Sequence, residues 1–186
     1  MLPVQIPCGR FLLRPWRAAD RPSLIRHADD AEVARNLRLL PHPYDDRAAG
    51  AWLAHAAADP PPEGVWAIEA DGEAVGCIAL ERGEDVAAAS FEVGYWLGRA
   101  YWGRGIVTEA LRAVTAAAWA EPDVARVWAG VFAWNGTSMR VLEKAGYRRE
   151  AVLVRAGVKD GVVFDRVVYA LTRDTGAPYA AFGGAR

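Results

Sequence analysis

Hydrophobic and polar positions alternate with a period of two across residues 91–97. Phe91, Val93, Tyr95 and Leu97 fall on one face, Glu92, Gly94 and Trp96 on the other. Gly98, Gly103 and Gly105 then break the alternation. Apolar residues resume at helical spacing with Ala110, Leu111, Val114, Ala117 and Ala118. The pattern predicts a strand, a glycine-rich loop and a helix that Pro122 stops near residue 120. Such a loop bares backbone N–H groups at the positive end of a helix dipole, a place suited to an anion and most often to a pyrophosphate. A Gly-x-Gly loop alone is also what a tight strand-to-helix turn needs, so the loop does not decide function unaided.

The same periodicities place the remaining elements. A strand is expected over 10–16, closed by Pro15, then a helix capped by Asp20 with Pro22 in its first turn and Leu24, Ile25 and Ala28 inside. A short helix over 30–37 and another from Asp45 or Asp46 to about 57 flank Pro41-His42-Pro43-Tyr44, which must be a loop. Residues 60–64, three prolines then Glu63-Gly64, read as a second loop. Strands over 65–70 and 74–80 form a hairpin about Asp71-Gly72. A turn at 82–85, a strand over 87–97, a strand over 124–132 and a helix over 136–145 come next. A last hairpin, 147–155 with 162–171, turns around Lys159-Asp160-Gly161. The strand over 124–132 is reached from the preceding one through a helix, which predicts a parallel, right-handed crossover. The result is one domain over 1–173, a mixed sheet with antiparallel strands first and a parallel pair in the middle, and a loose tail over 174–186.

Composition narrows the function classes. The chain has 186 residues, 53% of them hydrophobic, and eight Trp, as expected for a globular protein with a sizeable core. A formal net charge of −1 gives no support for a nucleic-acid or anionic-membrane surface. Of 22 basic residues only Lys144 and Lys159 are lysine, and the arginines are scattered, which points to compositional drift in a GC-rich genome. Cys8 and Cys77 form no metal or redox motif, so no metal is expected, and both read as small core side chains in a reducing compartment. The first residues show no basic region before an apolar run, and no long uncharged apolar stretch occurs later. A cytoplasmic protein is the expectation, and the Trp content leaves a homodimer open.

Two stretches together carry a specific signal. The first is Trp102-Gly103-Arg104-Gly105-Ile106-Val107-Thr108-Glu109-Ala110 and the second is Asn135-Gly136-Thr137-Ser138 with Leu142-Glu143-Lys144-Ala145-Gly146-Tyr147. The first resembles the acetyl-CoA pyrophosphate loop of the GNAT N-acetyltransferase superfamily, the second that superfamily's following helix and strand start. Gly94-Tyr95-Trp96-Leu97 ahead of the loop makes the whole most similar to the ribosomal-protein N-terminal acetyltransferase branch. The likeness runs from Leu12 to Arg173. Val107 stands where the superfamily prefers Gly or Ala, and Trp102 replaces the common Gln or Arg; neither change removes a backbone amide.

The resemblance implies an α/β (α+β) fold. Its mixed, mostly antiparallel seven-stranded sheet has a splayed central parallel strand pair and helices on both faces. It also implies acetyl-CoA as cosubstrate, with pantetheine between Tyr95, Trp96 and Leu97 on one side and Phe132, Ala133 and Trp134 on the other. One of these backbone N–H groups would polarise the thioester. The pyrophosphate would lie on the amides from Gly103 to Thr108, flanked by Trp102, with Arg104 adding charge unless it is a plain surface arginine. Thr108 could instead cap the helix. Asn135 doubles as helix cap and pantetheine contact. Ser138, a lone hydroxyl on the apolar face it shares with Val141, Leu142 and Ala145, would serve the departing thiolate as acid or hydrogen-bond donor. A serine bonded back to its own helix is the plainer alternative.

The attacking amine must be neutral, and an α-amino group with pKa near ~8 needs less help than a lysine near ~10.4. Glu92, on the polar face of the strand, is the candidate base acting through a water, with a pKa raised by its half-apolar setting; otherwise it is a solvent-facing strand glutamate. His42 and Tyr44 lie in the loop that by resemblance borders the substrate entrance. No Cys or Ser sits beside a His as a nucleophile, which predicts direct transfer in a ternary complex. The acceptor expected from the branch is a protein N-terminal α-amine. A small-molecule amine (a polyamine, aminoglycoside or amino acid) and a non-catalytic acyl-CoA sensor are the alternatives.

Overall fold

The computed structural model describes residues 1–56, 58 and 64–176. Of the expected loop at 60–64 only Gly64 is among them, and of the expected tail only 174–176. Among the described residues eight strands form one sheet in the order β1-β2-β3-β4-β5-β6-β8-β7. They are β1 (Ile6–Pro7), β2 (Leu12–Arg14), β3 (Val65–Ala70), β4 (Glu73–Arg82), β5 (Ser90–Leu97), β6 (Arg126–Phe132), β7 (Arg148–Lys159) and β8 (Val162–Thr172). Every pairing is antiparallel except β5 with β6, the parallel pair at the centre. The sheet has one strand more than expected, because the two residues of β1 pair with Leu12 and Leu13 at the edge. A two-residue strand ending in proline carries too little alternation to be read from sequence.

Five α-helices among the described residues cover the sheet: α1 (Arg21–Ala28), α2 (Ala31–Ala34), α3 (Asp46–Ala56), α4 (Ile106–Trp119) and α5 (Gly136–Lys144). Strand alternation divides the core in two. Phe91, Val93 and Leu97 of β5 pack with Ala110, Leu111 and Val114 of α4 and Leu142 of α5 on one face. Ala67 and Cys77 pack with Leu24 and Ala28 of α1 and Ala49 and Leu53 of α3 on the other, where Trp96 joins them. The period-two pattern at 91–97 thus states correctly which side chains go to which layer.

Local chemistry fixes the element ends. Asp71 (φ 53°) and Gly72 (φ 81°) both take positive φ between β3 and β4, the pair of values a two-residue type I′ hairpin needs. Asp30 caps α2 by accepting from Glu32 N–H, but the helix stops at Ala34, short of the expected residue 37. Asp20 precedes α1 without capping it through its side chain. Its carboxylate is turned instead to Arg14, whose Nη1 and Nη2 donate to it at 2.8 and 2.7 Å, and to the Arg17 amide at 2.7 Å. Arg14 also donates to Glu69 and is itself only 2% exposed, so a buried, fully bonded guanidinium ties β2 to β3 and to the start of α1.

Candidate active site

The parallel pair holds only at its beginning. Ser90, Phe91 and Glu92 of β5 face Arg126, Val127 and Trp128 of β6, and beyond Glu92 the two strands share no pairing. Strand parity determines which backbone groups this splay leaves open. Gly98 N–H donates to the Val75 carbonyl at 2.8 Å, in register with the Leu97–Gly76 and Tyr95–Ile78 partners. The even-numbered residues of β5 therefore bond to β4, and the N–H and C=O groups of Val93, Tyr95 and Leu97 point toward β6. On β6, Ala133 N–H donates to the Asp165 carbonyl at 2.9 Å, so the odd residues bond to β8 while Gly130 and Phe132 face β5. Two carbonyls on these walls are already taken. Trp102 Nε1–H donates to Leu97 O at 2.7 Å, and Asn135 N–H donates to Phe132 O at 2.8 Å. The Trp96 amide, expected on the wall from sequence, faces β4, and the Val93 amide is used in the Glu92–Trp128 pairing, so Tyr95 and Leu97 carry the open amides.

A cavity of about 1160 Å³ occupies the splay and runs on to the loop before α4. Gly103 (φ 75°) and Gly105 (φ 77°) are both left-handed, and Gly105 is the N-cap of α4. Glu109 N–H is the first amide of this segment to find a helical acceptor, the Gly105 carbonyl at 3.1 Å. The amides from Gly103 to Thr108 donate to no protein acceptor among the described residues. Thr108 lies inside the first turn and does not cap it. A run of free amides at the start of a 14-residue helix fits a pyrophosphate, and the strand-edge amides of the splay fit a pantetheine amide.

On the α4 and α5 face, Asn135 caps α5: its Oδ1 accepts from Ser138 N–H at 3.1 Å. The Ser138 hydroxyl does not bond back to its own helix. Its Oγ is 2.7 Å from the Tyr95 hydroxyl on β5, and both residues border the cavity. Burial holds the Tyr95 phenol well above its ordinary value, so it remains protonated.

On the opposite face Glu92 sits at the closed end of the splay, the last residue paired to β6. Its Oε1 is held by Arg166 of β8, whose side chain crosses β6 to reach it. The crossing requires Gly130: a Cβ there would fall 1.8 Å from Arg166 Nε. The guanidinium also lies 5.4 Å from the Trp128 ring. Glu92 is thus an anchored carboxylate with Oε2 free of protein partners among the described residues. Glu81 is its direct cross-strand partner on β4, exposed and without an ion pair among the described residues. Phe132, Trp134 and Phe164, with ring centroids 4.3 to 5.2 Å apart, wall the same side of the cleft.

Most residues picked from sequence line this one cavity: Glu92, Tyr95, Trp96, Leu97, Trp102, Gly103, Gly105, Ile106, Val107, Thr108, Asn135 and Ser138. Arg104 does not. Its guanidinium lies 4.6 Å from the Tyr101 ring and 3.6 Å from Asp71, outside the cavity, because the left-handed glycines on either side turn it outward. His42 and Tyr44 do not either. His42 Nδ1 is 3.2 Å from Asp29, and Tyr44 is buried in the second core with Trp16, Leu24 and Ala49. The segment that borders the cleft on that side is α2 with the residues just after it, Arg35, Asn36 and Arg38 among them. Arg112, Arg140 and Lys144 form a basic rim on α4 and α5 that sequence reading passed over. The spacing of Arg140 and Lys144 on one helical face was the available signal. Cys77 is buried, which pushes its thiol up to about 12, and Cys8 is raised by burial and by Glu109, so neither is poised as a nucleophile.

The sequence model of the Acetyltransferase (GNAT) domain matches residues 10–148. This chain belongs to the GNAT acetyltransferase family. Its curated relatives include Bacillus subtilis YjcK, which carries the word N-acetyltransferase in its name and is 40% identical over 54% of this chain and 56% of its own length. YdaF of the same organism carries the words ribosomal N-acetyltransferase and is 30% identical over 55% and 56% of the two chains. These matches span about half the length of the relatives. Among solved structures, Mycobacterium smegmatis RimJ in complex with CoA-disulfide is 27% identical, with a TM-score of 0.75 over 94% of this chain and 87% of that one. The microcin C7 self-immunity acetyltransferase MccE, solved with acetyl-CoA and AMP, superposes with a TM-score of 0.81 over 92% and 97% at 19% identity, a match of fold. The eight-stranded mixed sheet with a splayed parallel pair is the GNAT architecture in this chain. No helix among the described residues is long and apolar enough to cross a membrane.

Proposed function

We propose that this protein transfers the acetyl group of acetyl-CoA to a primary amine, and that its acceptor is a protein N-terminal α-amine. One observation carries the reading: β5 and β6 part after Glu92 and leave the amides of Tyr95 and Leu97 free in a cavity that continues to the free amides of the α4 loop. The cavity exceeds the ~300–1,000 Å³ of an ordinary small-molecule pocket, leaving room for a cosubstrate and an acceptor end to end. The word ribosomal in the name of YdaF supports the choice of acceptor.

In the reaction the amine nitrogen attacks the thioester carbonyl carbon, the C–S bond breaks, and an amide and a thiolate result. Glu92 accepts the amine proton on Oε2, directly or through one water, while Arg166 holds Oε1 in place. A β5 amide from Tyr95 or Leu97 donates to the carbonyl oxygen as charge builds there. Ser138 donates a hydrogen bond to the leaving sulfur, which takes its proton from solvent on release. Glu81 gives the acceptor end an unpaired negative charge, which suits an amine that arrives protonated and gives its first proton to solvent before it attacks. Transfer is direct, since neither cysteine is poised to form an acyl-enzyme.

The test is release of free thiol from acetyl-CoA in three acceptor pools: peptides with varied N-termini, polyamines and aminoglycosides. Turnover confined to peptides is expected. Turnover only with polyamines or aminoglycosides would replace the acceptor, and acetyl-CoA binding with silence in all three would replace the enzyme with a sensor.

A further inference from the structure

Tyr95 contributes a backbone amide to the splay, but its side chain goes elsewhere. The ring packs against the core beneath α4 and α5, and the hydroxyl crosses to α5. There it finds Ser138 alone: Oγ at 2.7 Å and the carbonyl oxygen at a marginal 3.5 Å. A serine hydroxyl has one proton to give and two lone pairs to receive with. A buried phenol needs an acceptor for its proton, and Ser138 Oγ is the one within good reach. The Tyr95 O–H therefore donates to Ser138 Oγ. The Ser138 amide is fixed by Asn135 at 3.1 Å, so the backbone beneath the hydroxyl is held as well. The single proton of Ser138 is then left to point into the cleft. Donation into Oγ also strengthens the bond that Ser138 itself donates.

We propose that Tyr95 is a positioning residue that orients and polarises Ser138, through the chain Tyr95 O–H to Ser138 Oγ–H to the leaving sulfur. The proposal rests on the role given to Ser138 above. No proton changes owner in this chain; the thiolate is stabilised by donation, and its charge is dispersed over two hydroxyls.

A double-mutant cycle of Tyr95→Phe, Ser138→Ala and the pair tests it, since phenylalanine keeps the ring and removes only the donor. Each single variant is expected to lower kcat about tenfold with the active peptide, the loss of one charge-directed hydrogen bond. The pair should be no slower than Ser138→Ala alone. A second readout needs no turnover. In titrations of bound CoA followed by thiolate absorbance, both single variants should raise the apparent thiol pKa equally, with CoA affinity at neutral pH unchanged. If Tyr95→Phe slows the Ser138→Ala enzyme by the same factor as the wild type, Tyr95 acts through packing and the proposal falls. If Ser138→Ala slows turnover and Tyr95→Phe does not, this proposal alone falls. If Ser138→Ala alters neither turnover nor the thiol titration, the role of Ser138 falls and takes this one with it.

Discussion

Single residues decide how the cleft is supplied with donors and charge. Gly105 combines a left-handed backbone (φ 77°) with the N-cap position of α4, where a side chain would strain the turn and crowd Arg10 Nη2 at 3.2 Å. Gly105→Val is predicted to weaken acetyl-CoA binding at least tenfold by calorimetry, because the free amides lose their arrangement. Glu92→Gln keeps the Arg166 contact and removes the base, so kcat should fall about 10²-fold with acetyl-CoA affinity retained; an unchanged kcat would remove Glu92 from the chemistry. Cys77 gives a pH-resolved check. With its thiol buried and pushed up to about 12, Cys77 stays protonated in the native protein at pH 8. Native protein at pH 8 should leave Cys77 unalkylated and its activity intact, and labelling should require unfolding.

At the scale of elements, the anchoring of Glu92 depends on where β8 inserts. The sequence shows Glu92 on the polar face of its strand, and it lies there. It cannot show that Arg166, 74 residues on, is its partner, because that depends on β8 lying beside β6 and on Gly130 leaving a passage. The same limit explains Tyr44. The loop at 41–44 forms as expected but does not border the cleft; α1 and α3 close over the Tyr44 side chain, and burial by two helices leaves no mark on a four-residue stretch. The glycines and the helical spacing after them mark the loop before α4 in the sequence; the outward turn of Arg104 depends on the φ values of its two flanking glycines. Strand register yields a further prediction. Two carboxylates directly opposite in a sheet repel, and only Glu92 of the Glu81–Glu92 pair is neutralised. Glu81→Gln should therefore raise the KM for a cationic acceptor several-fold, leave the KM for acetyl-CoA unchanged and not lower Tm. Arg14 is the opposite case, a charge kept for architecture. Arg14→Met would strand Asp20, 6% exposed, without its partner, and should cost about 3–5 kcal/mol in denaturant unfolding.

The whole molecule is a sheet with two cores and a gap through its middle, and both properties have consequences. Burial raises Cys77 from 9.0, and Tyr44 and Tyr147 from 10.0, each to about 12. These groups are acids whose folded values lie above their unfolded ones. The stability they contribute is fully present below about pH 9 and is lost as pH rises toward 12. Unfolding free energy should thus fall steadily across that window. The gap is where family membership, free strand amides and anchored carboxylate meet, and the claim that an α-amine is acetylated there can be tested in one reaction. A peptide with both a free N-terminus and an internal lysine is incubated with acetyl-CoA and the wild-type protein, and the product is sequenced by mass spectrometry. Acetyl on the N-terminal nitrogen alone is the predicted result. Acetyl on the lysine alone, or an unmodified peptide with acetyl-CoA bound, would contradict the account.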